Sequence, residues 1–285
     1  MQDGERAVLA RDGGAVTVQD LNRQLGTDWP ERVDELIRAG KVAPLTDWLR
    51  LHPTLDAMVR PSIPAADLRF GPLYRRPGKI WGIGLNYADH AADLNERVPA
   101  DFPGSFLKPA TSIIGPGDAF QIPVQSQRTT VEAELGIIIG QRCRDVPRAR
   151  WREVVAGFTP ILDATAEDIL RLNPRYLTLS KSFDTFFSFG PLLITPDEIT
   201  NIETVMVSTV LNGEVRATNQ VARMTYPPDF LIAFHSRVMT LEPGDIISSG
   251  TPGAVPVCHG DRVECRISGF PPLVNAVQDL KITGV

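Results

Sequence analysis

The pattern of hydrophobic and polar positions divides the chain into a shorter helical part and a longer part rich in strands. Before residue 73, apolar side chains such as Val33, Leu36 and Ile37 recur at the spacing of an amphipathic helix. After residue 79, short runs of β-branched residues alternate with turns that contain Gly or Pro, which predicts β-strands. Prolines punctuate the crossing, so we predict a small α+β domain over 1–72 and a β-rich domain over 73–285, a mixed α+β fold overall.

Three local signals predict individual elements. Residues 212–214, Asn-Gly-Glu, form the clearest hairpin turn, because Asn-Gly favours the tight turns that join antiparallel strands. Thr17 is predicted to cap a short helix. The strand over 155–162 is expected to end at Asp163, and a helix is expected to begin near Thr165. At such a junction Asp163 is either a helix cap or an oxygen ligand of an open site.

The most informative stretch is the strand predicted over 130–140, which carries two carboxylates. Side chains alternate along a strand, so Glu132 and Glu134 project from the same face, about 7 Å apart. Neighbouring carboxylates repel, and burial penalises their charge unless a cation is present. Magnesium and calcium prefer oxygen ligands and would relieve both penalties. A solvated strand face is the alternative interpretation of the same pattern.

Composition excludes several classes of function. The net charge is −5 and no basic run occurs, so nothing indicates a nucleic-acid partner. No apolar run approaches the roughly 20 residues that span a bilayer. The three cysteines are an odd number without metal-type spacing, and the N-terminus has no signal-peptide pattern. We therefore expect reduced thiols and a cytoplasmic location.

Two further groups could take part in acid–base chemistry. His90 and Asp93 stand three residues apart on a predicted helix, where a carboxylate raises the pKa of an imidazole and fixes its tautomer. Such a pair could act as a general base on water, although an ordinary surface pair has the same spacing. Lys181 lies between small polar residues and an aromatic cluster, a poor place for a charge without an anionic partner.

Two other segments could line a small-molecule site. Lys108 follows a predicted strand and is a candidate for the site wall, although a solvent-facing lysine is the default reading. The loop over 248–253 is rich in backbone N–H groups and includes Gly250 and Thr251, so it could bind a carboxylate or carbonyl oxygen. A plain tight turn is the alternative for this loop.

Taken in order, five blocks of sequence resemble the fumarylacetoacetate hydrolase family. The blocks are Gly-Leu-Asn-Tyr-Ala-Asp-His (84–90), Glu-Ala-Glu-Leu (132–135), Leu-Asp-Ala-Thr-Ala-Glu-Asp (162–168), Lys-Ser-Phe-Asp-Thr-Phe (181–186) and Gly-Asp-Ile-Ile-Ser-Ser-Gly-Thr-Pro (244–252). Each block alone is weakly diagnostic, whereas the ordered set is specific. The resemblance covers about residues 79–285 and implies a mixed β-sandwich roll that is often a homodimer.

The resemblance also implies roles for individual residues. It assigns Glu132, Glu134 and Asp163 as carboxylate ligands of a divalent metal, Mg²⁺ or Mn²⁺. It assigns His90, with Asp93 as its acidic partner, as the residue that activates water. Further assignments are oxyanion or enolate stabilisation by Lys181 and substrate contact by Thr251.

The implied activity is hydrolysis of a C–C bond in an acylpyruvate-like or diketo acid through a metal-stabilised enolate. The same site could instead decarboxylate, tautomerise, isomerise or hydrate a 2-oxo acid. A catalytically silent protein that binds metal and ligand is the alternative from a different class.

The chain departs from the family pattern at three positions. The acidic partner of the histidine is usually Glu but here is Asp93, so Glu96 is a second candidate for that role. The usual Arg after the metal-binding Asp is Glu167, and Leu170 stands where Gln is often found. The resemblance implies that positions 167 and 170 contact polar groups of substrates, so the substrate of a particular member does not transfer to this chain.

Overall fold

The structure is a computed structural model that describes residues 5–11, 13–53, 63–88, 99 and 101–283. The strands are β1 (Val8–Arg11), β2 (Gly14–Thr17), β3 (Ile63–Pro64), β4 (Ile80–Gly84), β5 (Gly104–Lys108), β6 (Ile113–Ile114), β7 (Ala119–Ile122), β8 (Thr129–Ile139), β9 (Val155–Ala166), β10 (Phe187–Phe189), β11 (Met206–Leu211), β12 (Glu214–Gln220), β13 (Ile246–Ser248), β14 (Ala254–Pro256), β15 (Arg262–Ile267) and β16 (Leu273–Asp279). The α-helices are α1 (Val18–Leu25), α2 (Val33–Arg38), α3 (Val42–Leu51), α4 (Glu167–Leu172), α5 (Leu177–Lys181), α6 (Pro228–Val238) and α7 (Leu280–Thr283). Strands dominate the chain after residue 79, as the hydrophobic pattern predicts.

The N-terminal elements surround a hydrophobic cluster of their own. Strands β1, β2 and β3 form a small sheet, and helices α1 to α3 pack beside it. The backbone N–H of Asp20 donates to Thr17 Oγ1 at 2.9 Å, which confirms the predicted cap of α1. Ile37 belongs to a second cluster that also contains Tyr74 and Ile80, so α2 packs on the larger part of the chain. A domain boundary near residue 72 remains a proposal.

Two larger sheets form most of the regular structure in the rest of the described chain. An eight-stranded sheet has the order β5-β4-β13-β8-β9-β10-β6, with β14 also paired to β8. A five-stranded sheet has the order β12-β11-β15-β16-β7. The predicted hairpin joins β11 to β12, and Asn212 and Gly213 have the positive φ angles, 52° and 87°, that a tight turn requires. This sheet-rich mixed fold confirms the expected fold class.

Strands β8 and β9 are antiparallel neighbours at the centre of the larger sheet and are buried along their full lengths. One face of β8, with Val131 and Leu135, belongs to the main hydrophobic core, to which β11 and β15 also contribute. The opposite face carries the polar residues Glu132 and Glu134, and farther along it Ile138 joins the second cluster. Because both faces are covered, the carboxylates of β8 lie inside the molecule.

The expected end of β9 is wrong by three residues. Asp163 lies within the strand, because its backbone pairs with Glu132 on one side and with Phe187 of β10 on the other. The pairing continues to Ala166, and helix α4 begins only at Glu167. Asp163 is therefore not a helix cap, and its side chain lies on the same face of the sheet as that of Glu132.

Helix α6 carries His235, a buried histidine that lies among apolar residues in the sequence. His235 is fully buried, its Nδ1 lies 2.7 Å from the Leu231 carbonyl oxygen, and its Nε2 lies 2.9 Å from Ser105 Oγ. Burial lowers the pKa of His235, so the neutral form is favoured.

Among the helices of the described residues, none combines the length and apolar character needed to cross a membrane.

Candidate active site

Three buried carboxylates meet on one face of the eight-stranded sheet. Glu132 and Asp163 are direct Cα partners across β8 and β9, and Glu134 follows two residues after Glu132 on the same face. One oxygen of each carboxylate lies within 4.8 Å of the others. The pairing of the two strands thus assembles the three residues that the resemblance assigns to a metal.

Of the two glutamates on β8, Glu134 is the more deeply buried. Its Oε2 accepts hydrogen bonds from Ser248 Oγ at 2.6 Å and from the backbone N–H of Gly250 at 2.7 Å. Burial, followed by repulsion from Asp163 and Glu132, nevertheless raises the pKa of Glu134 to about 8. The protonated form of Glu134 is therefore favoured near neutral pH even with the Lys181 ammonium beside the carboxylates.

Lys181 supplies one positive charge to the carboxylates. Its Nζ donates to Glu132 Oε2 at 2.5 Å and to Asp163 Oδ2 at 3.1 Å, and it lies 4.9 Å from the centre of the Phe106 ring. Burial alone would lower the pKa of Lys181, but attraction to the carboxylates outweighs burial and raises that pKa. The anionic partner that the sequence requires for this lysine is therefore the carboxylate cluster.

Lys108 supplies a second positive charge, and its side chain is completely enclosed. Its Nζ donates to Asp163 Oδ1 at 2.6 Å, to the Lys181 carbonyl oxygen at 2.5 Å and to the Ala164 carbonyl oxygen at 3.3 Å. An ammonium group has three donors, and here all three have acceptors. Burial lowers the pKa of Lys108 to about 8 despite the attraction of Asp163. In this arrangement Lys108 supports Asp163 and Lys181.

The donor set fits a hard divalent cation. With all five groups ionised, three carboxylates and two ammonium groups leave one net negative charge in this buried region. Glu132 and Asp163 are directly opposite each other, and like charges in that position destabilise a strand pair. Carboxylate oxygens are the ligands that Mg²⁺, Mn²⁺ and Ca²⁺ prefer. The three carboxylates lie close enough together to bind one ion, and their assignment as metal ligands remains a prediction.

The loop after β13 brings backbone donors to the carboxylates. Gly250 has a φ of +94°, and a Cβ there would lie 2.7 Å from the Asn86 Cβ and 3.0 Å from the Ile83 carbonyl oxygen. Only glycine therefore fits where this N–H reaches Glu134. Thr251 is buried, and its Oγ1 accepts from the Gly253 N–H and donates to the Gly253 carbonyl oxygen.

Several expected site residues are not settled by the geometry. His90, Asp93 and Glu96 lie outside the described residues, so their roles remain predictions. Substrate contact by Thr251 and Gly250 also remains a prediction. Both oxygens of Glu167 bind arginine side chains of the chain itself.

Three contributors were missed by sequence reasoning. Ser248 donates to Glu134, Thr165 Oγ1 donates to Glu132 Oε2 at 3.3 Å, and the Phe106 ring contacts the Lys181 ammonium. The alternation of side chains along β9 could have indicated Thr165, which stands two residues after Asp163. The loop over 248–253 was a candidate for binding an oxygen, but the contacts of Ser248 with Glu134 and of Phe106 with Lys181 depend on long-range pairing of strands.

The metal-free protein is expected to lose stability as the pH rises from about 4.5 to about 8. The pKa of Glu134 is raised in the folded state, so this group stabilises the fold below the usual value of about 4.5 and that contribution is lost as the pH approaches about 8. Thermal unfolding of chelator-treated protein between pH 5 and pH 8.5 measures the effect. The variant Glu134→Gln should show a flatter dependence, and parallel curves for the two proteins would contradict the expectation.

The comparisons with known proteins all point to one family. The family described as fumarylacetoacetate (FAA) hydrolase C-terminal matches residues 79–278. Maleylpyruvate hydrolase from Sphingobium sp. SYK-6 is 30% identical over 97% of both chains, with a TM-score of 0.79. That enzyme has also been solved in complex with manganese(II) and pyruvate.

Two other relatives match the larger part of the chain. The structure of 2-hydroxyhepta-2,4-diene-1,7-dioate isomerase from Mycobacterium marinum is 32% identical, covers 76% of this chain and 82% of its own, and has a TM-score of 0.69. Oxaloacetate tautomerase Fahd2a, mitochondrial, from Rattus norvegicus is 35% identical over 225 residues, which are 76% of this chain and 72% of the relative. The matched region contains all three carboxylates of the candidate metal site. The chain therefore belongs to the fumarylacetoacetate hydrolase family.

Proposed function

We propose that the protein is a divalent-metal-dependent hydrolase that cleaves a C–C bond in an acylpyruvate-like or diketo acid. The observation that carries this proposal is the buried group of three carboxylates with the Lys181 ammonium on one sheet face. Support also comes from maleylpyruvate hydrolase, which matches this chain over 97% of its length.

In this proposal Glu132, Glu134 and Asp163 hold Mg²⁺ or Mn²⁺. When bound, the ion supplies Lewis-acid polarisation of a 2-oxo group and stabilises negative charge that develops there. The hydrogen bonds from Ser248 and Gly250 keep Glu134 in one orientation. Magnesium is the expected physiological ion, and the manganese complex of the relative supports a divalent ion in general.

Side chains of the protein are proposed to activate water and to stabilise the charge that forms during C–C cleavage. His90, oriented by Asp93, takes a proton from water, and the resulting hydroxide attacks the distal carbonyl carbon. The C–C bond then breaks, which releases a carboxylic acid and leaves an enolate that becomes the 2-oxo acid on protonation. The Lys181 ammonium offsets the negative charge that forms in this transition state. Thr251, Gly250 and Lys108 are proposed to line or support the substrate site.

Product analysis tests this function directly. Purified protein with Mg²⁺ or Mn²⁺ is incubated with acetylpyruvate, and acetate and pyruvate are followed by NMR. We expect the two products in equal amounts, formed only with metal and absent after chelation. If neither acetylpyruvate nor a longer acylpyruvate is cleaved to pyruvate and the carboxylic acid of its acyl group, the hydrolase proposal is overturned.

A second candidate function is tautomerisation of oxaloacetate or a related 2-oxo acid. The specific observation in its favour is the relative named oxaloacetate tautomerase, at 35% identity over 225 residues. This reaction needs an enolate-stabilising site but no water attack. Faster keto–enol equilibration of oxaloacetate, without any new carboxylate product, would identify it and exclude hydrolysis. Decarboxylation, isomerisation and hydration give different products in the same assay.

The assembly and location of the protein are also proposals. A homodimer is consistent with exposed apolar side chains at Leu172, Tyr176 and Leu179 in the segment that contains α4 and α5. Light scattering of the purified protein would give its mass. A cytoplasmic location is supported by the three free cysteines.

A further inference from the structure

A single buried amide connects three segments beside the candidate metal site. Asn86 lies just after β4 and is fully buried. Its Nδ2 donates to the Ser249 carbonyl oxygen at 2.7 Å and to the Tyr226 carbonyl oxygen at 2.9 Å, and its Oδ1 accepts from the Tyr226 N–H at 2.8 Å. An asparagine amide has two N–H donors and a carbonyl acceptor, and each of them has a partner here. Asn86 therefore ties the end of β4 to the segment before α6 and to the loop after β13.

The loop after β13 carries this connection to Glu134. The residue after Ser249 is Gly250, whose N–H donates to Glu134 Oε2 at 2.7 Å. A Cβ at Gly250 would lie 2.7 Å from the Asn86 Cβ, so the loop packs directly on the asparagine. Asn86 and Glu134 thus contact the same short stretch of loop.

The two hydrogen bonds belong to one peptide group. The carbonyl oxygen of Ser249 and the N–H of Gly250 are parts of a single planar trans unit, so they point in opposite directions. A donor held on the carbonyl oxygen therefore fixes the direction of the N–H. Rotation of this peptide would turn a carbonyl oxygen towards the carboxylate of Glu134, and glycine at 250 offers little steric resistance to that rotation. Asn86 is the side chain that opposes it.

The donors to Glu134 also distinguish its two oxygens. Ser248 Oγ and the Gly250 N–H both donate to Oε2, at 2.6 and 2.7 Å. A carboxylate oxygen has about two lone-pair sites for hydrogen bonds, so these donors fill Oε2. Oε1 is then the oxygen available to an ion. Carboxylate ligands of metals are commonly held by hydrogen bonds in this way.

The backbone immediately before Asn86 is strained. Leu85 has a φ of +55°, in the left-handed region that bulky residues rarely adopt. The turn is held from its far side, because the Thr225 N–H donates to the Asn86 carbonyl oxygen at 2.8 Å and Tyr87 forms a β-bridge with Met224. Strain of this kind persists only where the surrounding structure fixes it, and it clusters at functional sites. The strained turn places the Asn86 amide against the loop.

We propose that Asn86 is a positioning residue of the metal site, which acts through the Ser249–Gly250 peptide to hold Glu134 with Oε1 free for the ion. The inference rests on the proposed function only for the assignment of Glu134 as a metal ligand, and it holds for any reaction at that site. Without Asn86, the peptide and the carboxylate would have to be ordered when the ion binds, which weakens binding.

The affinity for Mn²⁺ tests this role without requiring turnover. Titration of the full-length protein, with free Mn²⁺ followed by its electron paramagnetic resonance signal, gives the dissociation constant. Asn86→Asp keeps the shape but replaces the two donors by an oxygen, and Asn86→Ser shortens the side chain without adding charge. We expect both variants to bind Mn²⁺ about 10- to 100-fold more weakly, the usual cost of losing a group that orients a metal ligand. The negative charge of Asn86→Asp would itself attract Mn²⁺, so it cannot produce this loss.

Asn275 provides a matched control on β16. It is fully buried, and its Nδ2 donates to the carbonyl oxygens of Gly115 at 2.8 Å and Asp118 at 2.9 Å. Asn275→Asp and Asn275→Ser therefore make the same chemical changes in the five-stranded sheet. They should lower the melting temperature, as the substitutions at Asn86 do, but leave the affinity for Mn²⁺ unchanged.

A third substitution approaches the same contact from the loop. Gly250→Ala would place a Cβ against Asn86, so it should reproduce the loss of Mn²⁺ affinity even where a variant at position 86 does not fold. Affinity equal to that of the native protein in the folded variants of Asn86 and Gly250, or an equal loss in the Asn275 variants, would overturn the proposal and leave Asn86 a structural residue.

The outcomes also separate this proposal from the proposed function. A loss of Mn²⁺ affinity confined to the Asn86 and Gly250 variants, in a protein that cleaves no acylpyruvate, would support the role of Asn86 and reject the hydrolase. Cleavage of acylpyruvates with unchanged Mn²⁺ affinity in those variants would support the hydrolase and reject the role of Asn86. A native protein that binds no Mn²⁺ would reject the metal assignment and this role together.

Discussion

Glu134→Gln is expected to reduce metal-dependent turnover by at least about a hundredfold while the protein remains folded. Loss of groups that only orient metal ligands already costs about 10- to 100-fold, and Glu134 is proposed as a ligand itself. Glutamine has the same shape, and its carbonyl oxygen can accept the hydrogen bonds that Ser248 and Gly250 donate to Glu134 Oε2. The assay is the rate of product formation over a range of Mg²⁺ and Mn²⁺ concentrations, with a thermal unfolding curve for each protein.

The comparison with chelator determines what this result means. Native protein treated with chelator should lose activity to the level of the variant, and added Mn²⁺ should restore only the native protein. Full activity of Glu134→Gln in the presence of chelator would remove the metal assignment. Glu153→Gln is a suitable control, because Glu153 is an exposed carboxylate paired with Arg150.

Lys108→Met is expected to lower the free energy of unfolding by about 3–5 kcal/mol, the usual effect of removing one partner of a buried ion pair. The side chains of Lys108 and Asp163 are both fully enclosed, and methionine cannot donate to Asp163 or to the two carbonyl oxygens that Lys108 contacts. Three buried acceptors would then lose a donor. Urea unfolding measures the change.

An exposed lysine gives the reference for this measurement. Lys41→Met makes the same chemical change at an exposed position and should alter stability by less than about 0.5 kcal/mol. A loss of similar size in both variants, or a loss below about 1 kcal/mol for Lys108→Met, would contradict a supporting role for Lys108. Addition of Mn²⁺ should offset part of the loss, because a cation at the carboxylates replaces some of the missing charge.

Local patterns predicted the parts of the site that depend on one strand. The β-branched run after Glu134 indicates a strand, and the period of two then places Glu132 and Glu134 on one face. The polar and aromatic surroundings of Lys181 indicate that it needs an anion, and the structure provides two carboxylates. The resemblance supplied the grouping with Asp163, which spacing alone left open.

The remaining features depend on contacts between distant segments. The sequence suggested that β9 ends at Asp163, whereas pairing with β8 and β10 extends the strand to Ala166. Lys108 looked solvent-facing because nothing near it in sequence is anionic, yet β5 brings it to Asp163, 55 residues later. Non-local pairings of this kind are set by tertiary packing, which local propensity does not report.

The register of β8 and β9 restricts how this enzyme can change during evolution. Ile138 pairs with Gly157 and Ile139 with Val155, so the irregularity in the ladder falls beyond Glu134 and leaves the carboxylates in step. Deleting a single residue between Glu134 and that irregularity would move both glutamates to the face that packs on the five-stranded sheet. We therefore expect insertions and deletions among relatives in the connecting loops, and only substitutions in the strand pair. New substrates should accordingly be acquired through changes in the loops and at the strand ends, with the acidic face retained.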